Sequence, residues 1–124
     1  MQANPTPSVL VVDPSAENRE VLRTILKQRG LRFWEAEEAQ AGVALAQEHH
    51  PDVIVLDLDA EDADSDHVLL DLRRELAREN SSLIILGRLR RNSTLPAQQI
   101  LSKPFHFAPL VRSIERLATT AKAA

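Results

Sequence analysis

Three charged residues of this chain each close an apolar run, and together they define one kind of chemistry. Asp57 follows Val53-Ile54-Val55-Leu56, Asp13 follows Val9-Leu10-Val11-Val12, and Lys103 follows Gln99-Ile100-Leu101-Ser102. A continuous apolar run bounded by turn signals reads as a strand buried on both faces. A polar residue after it stands at the strand's C-terminal end, the edge where open parallel sheets bind ligands. Two carboxylates there attract a hard divalent cation with oxygen ligands. An ammonium beside an aspartate favours its charged, nucleophilic form and neutralises an incoming phosphoryl oxygen. These are the parts that phosphoryl transfer to an aspartate requires. Asp57 alone reads more simply as a turn opener or helix cap; the grouping gives it chemical weight.

The elements between these residues must bring them together. Residues 1–8, with two prolines, read as a loose arm. After the first strand, Pro14 suits a first helical turn, with Asp13 or Ser15 as cap. Val21, Leu22, Ile25 and Leu26 make a helical stripe that Gly30 ends. Leu31 to Ala36 reads as a second strand, and Glu37 to His49 as an Ala-rich second helix stopped by Pro51. The third strand and an acidic loop, Leu58 to Asp66, precede a third helix marked by Val68, Leu69, Leu72 and Leu76. Leu83 to Leu86 is a fourth strand ending at Gly87. Residues 88–98 have a poor apolar pattern. The fifth strand is Gln99 to Ser102, and from Pro109 the residues Leu110, Ile114 and Leu117 mark a final helix. Residues 9–118 thus form the domain, and 119–124 a frayed tail or linker. Alternation of this kind predicts an α/β fold, a single doubly wound five-stranded parallel sheet with helices on both faces. In the flavodoxin-like order 2-1-3-4-5, strands one and three flank the switch point, so Asp13 and Asp57 face each other within reach of Lys103.

Composition excludes several classes. The 124 residues suit one domain, 44% of them are apolar, and the net charge of −3 argues against a general nucleic-acid binder. There is no cysteine, hence no disulfide or Cys-based zinc site, which suits the cytosol. The N-terminus shows no signal-peptide pattern, and no apolar run approaches a membrane span. Phe33, Trp34, Phe105 and Phe107 are the only aromatic residues, too few for a base-stacking surface.

Over roughly Val9 to Leu117 the chain resembles a response-regulator receiver domain, the phosphoacceptor module of two-component signalling. The resemblance is carried by Val9-Leu10-Val11-Val12-Asp13, by Pro51-Asp52-Val53-Ile54-Val55-Leu56-Asp57 and by Lys103-Pro104-Phe105, where a cis-proline bond usually follows the lysine. It implies a signalling module rather than an enzyme, with Asp57 accepting a phosphoryl group from a histidine kinase or phosphotransfer protein. Lys103 would contact that group. Asp13, Asp57 and the main-chain carbonyl of Asp59 would hold magnesium. A downstream protein partner is implied, and the oligomeric state is open.

The departures are specific. The second of the family's paired acids, which ligates the metal directly, is Pro14 here, so a weak metal site is expected. Gly87 stands where the family has Thr or Ser, and Arg88 where it has a small residue. Ile100 replaces the switch aromatic. The Met-Pro and Gly after the acceptor are matched by Ala60, Glu61 and Ser65. Only 15 residues separate Gly87 from Lys103, so the helix between the fourth and fifth strands is expected to be short, irregular or absent. Two readings follow: an atypical phosphoacceptor with an altered switch, or a pseudo-receiver that works as an interaction module independently of phosphorylation.

Other motifs weigh less. Asp57-Leu58-Asp59 fits the DxD of haloacid-dehalogenase-like phosphatases, but on the third strand of a chain too short for a cap. The loop Asp57, Asp59, Glu61, Asp62, Asp64, Asp66 lacks the Gly and Glu of a calcium-binding EF-hand loop and reads as a solvated cap of the third helix. His49 and His50 are adjacent and point apart, which argues against a shared metal; His67 and His106 are isolated. Arg88, Arg90 and Arg91 form the one basic cluster, a solvated loop or a phosphate-sensing or partner-docking patch.

Overall fold

The apolar runs pair side by side in one parallel sheet in the computed structural model, which describes residues 6–60, 62–88 and 95–123. In chain order the elements are β1 (Ser8–Val12), α1 (Ala16–Gln28), β2 (Arg32–Ala36), α2 (Ala39–His49), β3 (Val53–Asp57), α3 (Asp66–Glu79), β4 (Ser82–Leu86), β5 (Gln99–Leu101) and α4 (Phe107–Ala123). The strand order is β2-β1-β3-β4-β5, as the alternation predicts.

Strand residues alternate between faces, and the two cores follow this parity. Val9 and Val11, Val53 and Val55, Ile84 and Leu86 pack with Leu22 and Leu26 of α1 and Leu110 and Ile114 of α4. Leu10 and Val12, Ile54 and Leu56, Leu83 and Ile85 pack with Val43 of α2 and Val68, Leu72 and Leu76 of α3. All residues of β1 and β3 are buried, which is why their sequences are continuous rather than alternating. Asp13 and Asp57 continue the parity of Val11 and Val55 and so fall on the α1–α4 side.

Side chains also fix the register of the strands. At the opposite edge, Asp52 Oδ2 accepts from the Ser8 amide at 2.8 Å and pins the start of β1 to that of β3. Gln98 Oε1 accepts from the Leu83 amide at 2.6 Å, while the Gln98 amide donates to the Leu83 carbonyl at 2.8 Å. This brings β5 into line before its own short ladder begins.

Boundaries differ from the sequence reading in several places. β1 takes in Ser8, which the sequence assigns to the arm, and β5 ends at Leu101 rather than Ser102. α2 begins at Ala39 rather than Glu37, because Glu38 is extended and offers no side-chain cap. Asp62 takes over that role, accepting from the amides of Ala39 at 3.0 Å and Gln40 at 3.3 Å. α4 starts at Phe107 rather than Pro109 and is helical to Ala123; alanines are strong helix formers and no Gly or Pro interrupts them. The helix expected between the fourth and fifth strands falls largely on residues 89–94, outside the described residues, as do Arg90, Arg91 and Glu61.

Candidate functional site

The site is assembled by the ends of β1, β3 and β5. Ser15 caps α1, its hydroxyl accepting from the Asn18 amide at 3.2 Å. The same turn orients Asp13: its Oδ1 accepts from the Ser15 amide at 2.8 Å, and its Oδ2 from the Asn18 side-chain amide at 3.2 Å. Arg19 donates to the Asp13 carbonyl at 2.7 Å and, through Nε, to Glu35 of β2 at 2.9 Å. Arg23 donates to the other Glu35 oxygen at 2.7 Å. The first strand end is therefore braced by α1 and β2 together.

Asp57 ends β3 in register with Leu86 of β4 and is 1% exposed. Its Oδ1 accepts from the Asp59 amide at 2.8 Å, a local bond that folds the following loop back over the strand end. The same oxygen accepts from Lys103 Nζ at 2.6 Å. Lys103 also donates to Asp59 Oδ2 at 2.6 Å, so one ammonium bridges two carboxylates. The Lys103–Pro104 peptide bond is cis.

Charge follows this geometry. Burial pushes the Asp13 carboxyl above the usual aspartate range; the charge of Asp57 adds to this, while the bonds from Ser15 and Asn18 and the charge of Lys103 oppose it. Burial works against the Lys103 charge, but its bonds to Asp57 and Asp59 and their charges prevail, holding its ammonium above the usual lysine range. The donor set fits a hydrated magnesium ion, which commonly binds through one or two carboxylates. The charge of Asp57 adds to the cost of ionising Asp13, and a cation would relieve it. Among the described residues no three His, Asp or Glu side chains gather to hold a metal ion.

The structure brings Asp57 and Lys103 into contact and couples Asp13 to both through charge. It gives Asp59 a side-chain bond that sequence reading did not anticipate. Arg88 is exposed one residue beyond Gly87, whose amide donates to the Leu101 carbonyl at 2.8 Å. The other candidates stand apart. His49 stacks on Trp34 with ring centroids 4.4 Å apart, whereas His50 lies 3.2 Å from the buried Glu75, so the adjacent histidines do separate things. Sequence reading missed Asn18, Arg19, Arg23 and Glu35. A signal was present: Arg19 and Arg23 are four apart on one helix face, and Glu35 is a charge on a strand beside it.

A doubly wound domain with two acids and a lysine at its carboxyl edge belongs to the flavodoxin-like class. Comparison narrows this class. Residues 9–115 match the model of the response regulator receiver domain, and the chain belongs to that family. It is 33% identical over 108 residues to the KDP operon transcriptional regulatory protein KdpE of Escherichia coli, covering 83% of this chain and 47% of that protein. It is 28% identical over 123 residues to the sensor histidine kinase AruS of Pseudomonas aeruginosa, covering 93% of this chain and 12% of that one. The chain thus spans about half the length of the first relative and a small part of the second. Among solved structures, the signal receiver domain of a LuxO repressor protein from Vibrio parahaemolyticus superposes with a TM-score of 0.79 at 22% identity, covering 96% of this chain and 95% of that one. The receiver domain of the sensor histidine kinase PA1611 from Pseudomonas aeruginosa, with magnesium in its active-site cleft, superposes with a TM-score of 0.74 at 20% identity, covering 93% and 99%.

Among the described residues no helix is long and apolar enough to cross a membrane.

Proposed function

We propose that this receiver domain accepts a phosphoryl group at Asp57 from a histidine kinase or phosphotransfer protein and passes the signal to a downstream protein. The observation that carries this reading is the 2.6 Å bond from Lys103 Nζ to Asp57 Oδ1, on a carboxylate that is 1% exposed. An Asp57 oxygen attacks phosphorus, the bond from phosphorus to the donor breaks, and the donor's leaving atom keeps the electron pair. Lys103 supplies positive charge to the phosphoryl oxygens as negative charge builds on them. Asn18 and the Ser15 amide hold the Asp13 carboxylate in place. Magnesium, when bound by the Asp13 and Asp57 carboxylates and the Asp59 main-chain carbonyl, supplies further positive charge. Pro14 in place of a second acid leaves this metal site weak.

The output differs from the family's usual relay. Gly87 has no hydroxyl to bind a phosphoryl oxygen, and Ile100, 47% exposed on β5, cannot replace a rotating aromatic ring. Arg88, exposed just past the end of β4, offers the phosphoryl group an alternative contact. These losses also favour a second reading, a phosphorylation-independent interaction module.

Intact mass after incubation with acetyl phosphate and magnesium separates the two. A phosphoryl adduct on the wild type and none on Asp57→Asn is expected. A folded wild type that stays unmodified at saturating magnesium leaves the interaction module as the function.

A further inference from the structure

Lys103 is shared. Its ammonium lies 2.6 Å from Asp57 Oδ1 and 2.6 Å from Asp59 Oδ2, and the two carboxylates differ sharply in setting. Asp57 is 1% exposed, whereas the Asp59 side chain is 73% exposed. The inner acid is the reacting one and the outer acid faces solvent. The Asp59 amide also donates to the very oxygen of Asp57 that Lys103 holds. The loop that carries Asp59 is tethered in turn, because Asp62 bonds the first amides of α2.

We infer that the Asp59 carboxylate is a gate on phosphoryl loading: it competes with the incoming phosphoryl group for Lys103. The inference rests on the reading of Asp57 as the acceptor. A phosphoryl group on Asp57 brings oxygens that need the donors of Lys103, and one donor is already committed to Asp59. The Asp59 charge also repels any anionic phosphodonor that approaches from solvent. Loading therefore draws the Lys103 ammonium, which holds one N–H on each acid, towards the phosphoryl oxygens and weakens its bond to Asp59, and the charge of Asp59 lowers the occupancy of the loaded state. Asp59 is a positioning residue in this scheme, since it acts through Lys103 and not on the phosphoryl group. Being exposed, it contributes little to folding, so its removal leaves the domain intact.

The test is the affinity of the intact domain for beryllofluoride, a phosphoryl mimic, at saturating magnesium, read by fluorine NMR. Asp59→Asn is expected to bind about fivefold more tightly than wild type, the scale of one like-charge interaction near 4 Å in water. Asp59→Glu, which keeps the charge, returns affinity towards the wild-type value. Added salt narrows the gap between wild type and Asp59→Asn. In a Lys103→Met background the gain from Asp59→Asn shrinks, because the two residues act as a unit. Unchanged or weaker binding by Asp59→Asn, with a wild type that does bind, overturns the gate and leaves the acceptor reading standing. A wild type and an Asp59→Asn variant that both fail to bind overturn the acceptor reading, and the gate with it.

Discussion

Arg19 shows how one side chain can decide the geometry of a site it does not enter. Its guanidinium ties the Asp13 carbonyl to Glu35, and Arg23 completes the pair on the other Glu35 oxygen. Burial works against the Glu35 charge, but the bonds and charges of Arg23 and Arg19 prevail and hold its carboxyl below its ordinary value of 4.5. An acid whose folded pKa is depressed stabilises the fold above its unfolded pKa. That contribution is lost as the pH falls from about 4.5 through the lower folded value. Glu35→Gln is therefore expected to lower stability at pH 7 and to flatten the acid limb of the stability curve. Urea unfolding at pH 7 and at pH 3.5 measures both, and an acid limb as steep as that of the wild type would remove Glu35 from the account. Asp13 has the opposite sign. Its raised pKa makes its charge a cost to the fold at neutral pH.

At the scale of elements, α2 packs closely on β1. Gly42 lies against Val12, and a Cβ built on it would stand 2.5 Å from Val12 Cγ2. Alanine in a helix interior gains about 1 kcal/mol over glycine, but overpacking a buried contact costs roughly 1–3 kcal/mol. The contact is with a β-branched side chain that is itself buried, so overpacking wins. Gly42→Ala is expected to destabilise by about 1 kcal/mol in denaturant unfolding, and Val12→Ala in the same chain to suppress part of that loss. An additive pair of effects would show that the clash is relieved elsewhere. This joint was not legible in the sequence, where residues 37–49 read only as an Ala-rich helix. The apolar runs, by contrast, were legible because buried parallel strands need no alternation, and so were the three strand-end residues. What stayed hidden depends on contacts between distant loops. Asp62 caps α2 from 23 residues away, and Asp59 meets Lys103 across 44. A single sequence carries no periodic signal for either.

Over the whole molecule, the two cores lie back to back on one sheet, and the carboxyl edge that carries Asp57 is held by both. Leu86, in register with Asp57, packs towards α1 and α4, while Leu58, just past Asp57, packs towards α2 and α3. The Leu58 amide donates to the Leu86 carbonyl at 3.0 Å, which extends the β3–β4 ladder into the loop. A ligand that draws Asp57, Lys103 and Asp13 together therefore acts on three strand ends that the global fold must keep in place. Such a ligand binds the folded state alone, and mass action then stabilises the entire domain by about 2.7 kcal/mol at a hundredfold excess over its dissociation constant. For a chain of this size that corresponds to a rise in melting temperature on the order of 10 °C. Beryllofluoride with magnesium is expected to produce such a rise in the wild type and none in Asp57→Asn. Magnesium alone should give a smaller rise, since Pro14 brings no further acid to the pair Asp13 and Asp57. A melting temperature that beryllofluoride raises equally in wild type and Asp57→Asn would place the binding elsewhere on the domain and separate the fold of a receiver from the chemistry of one.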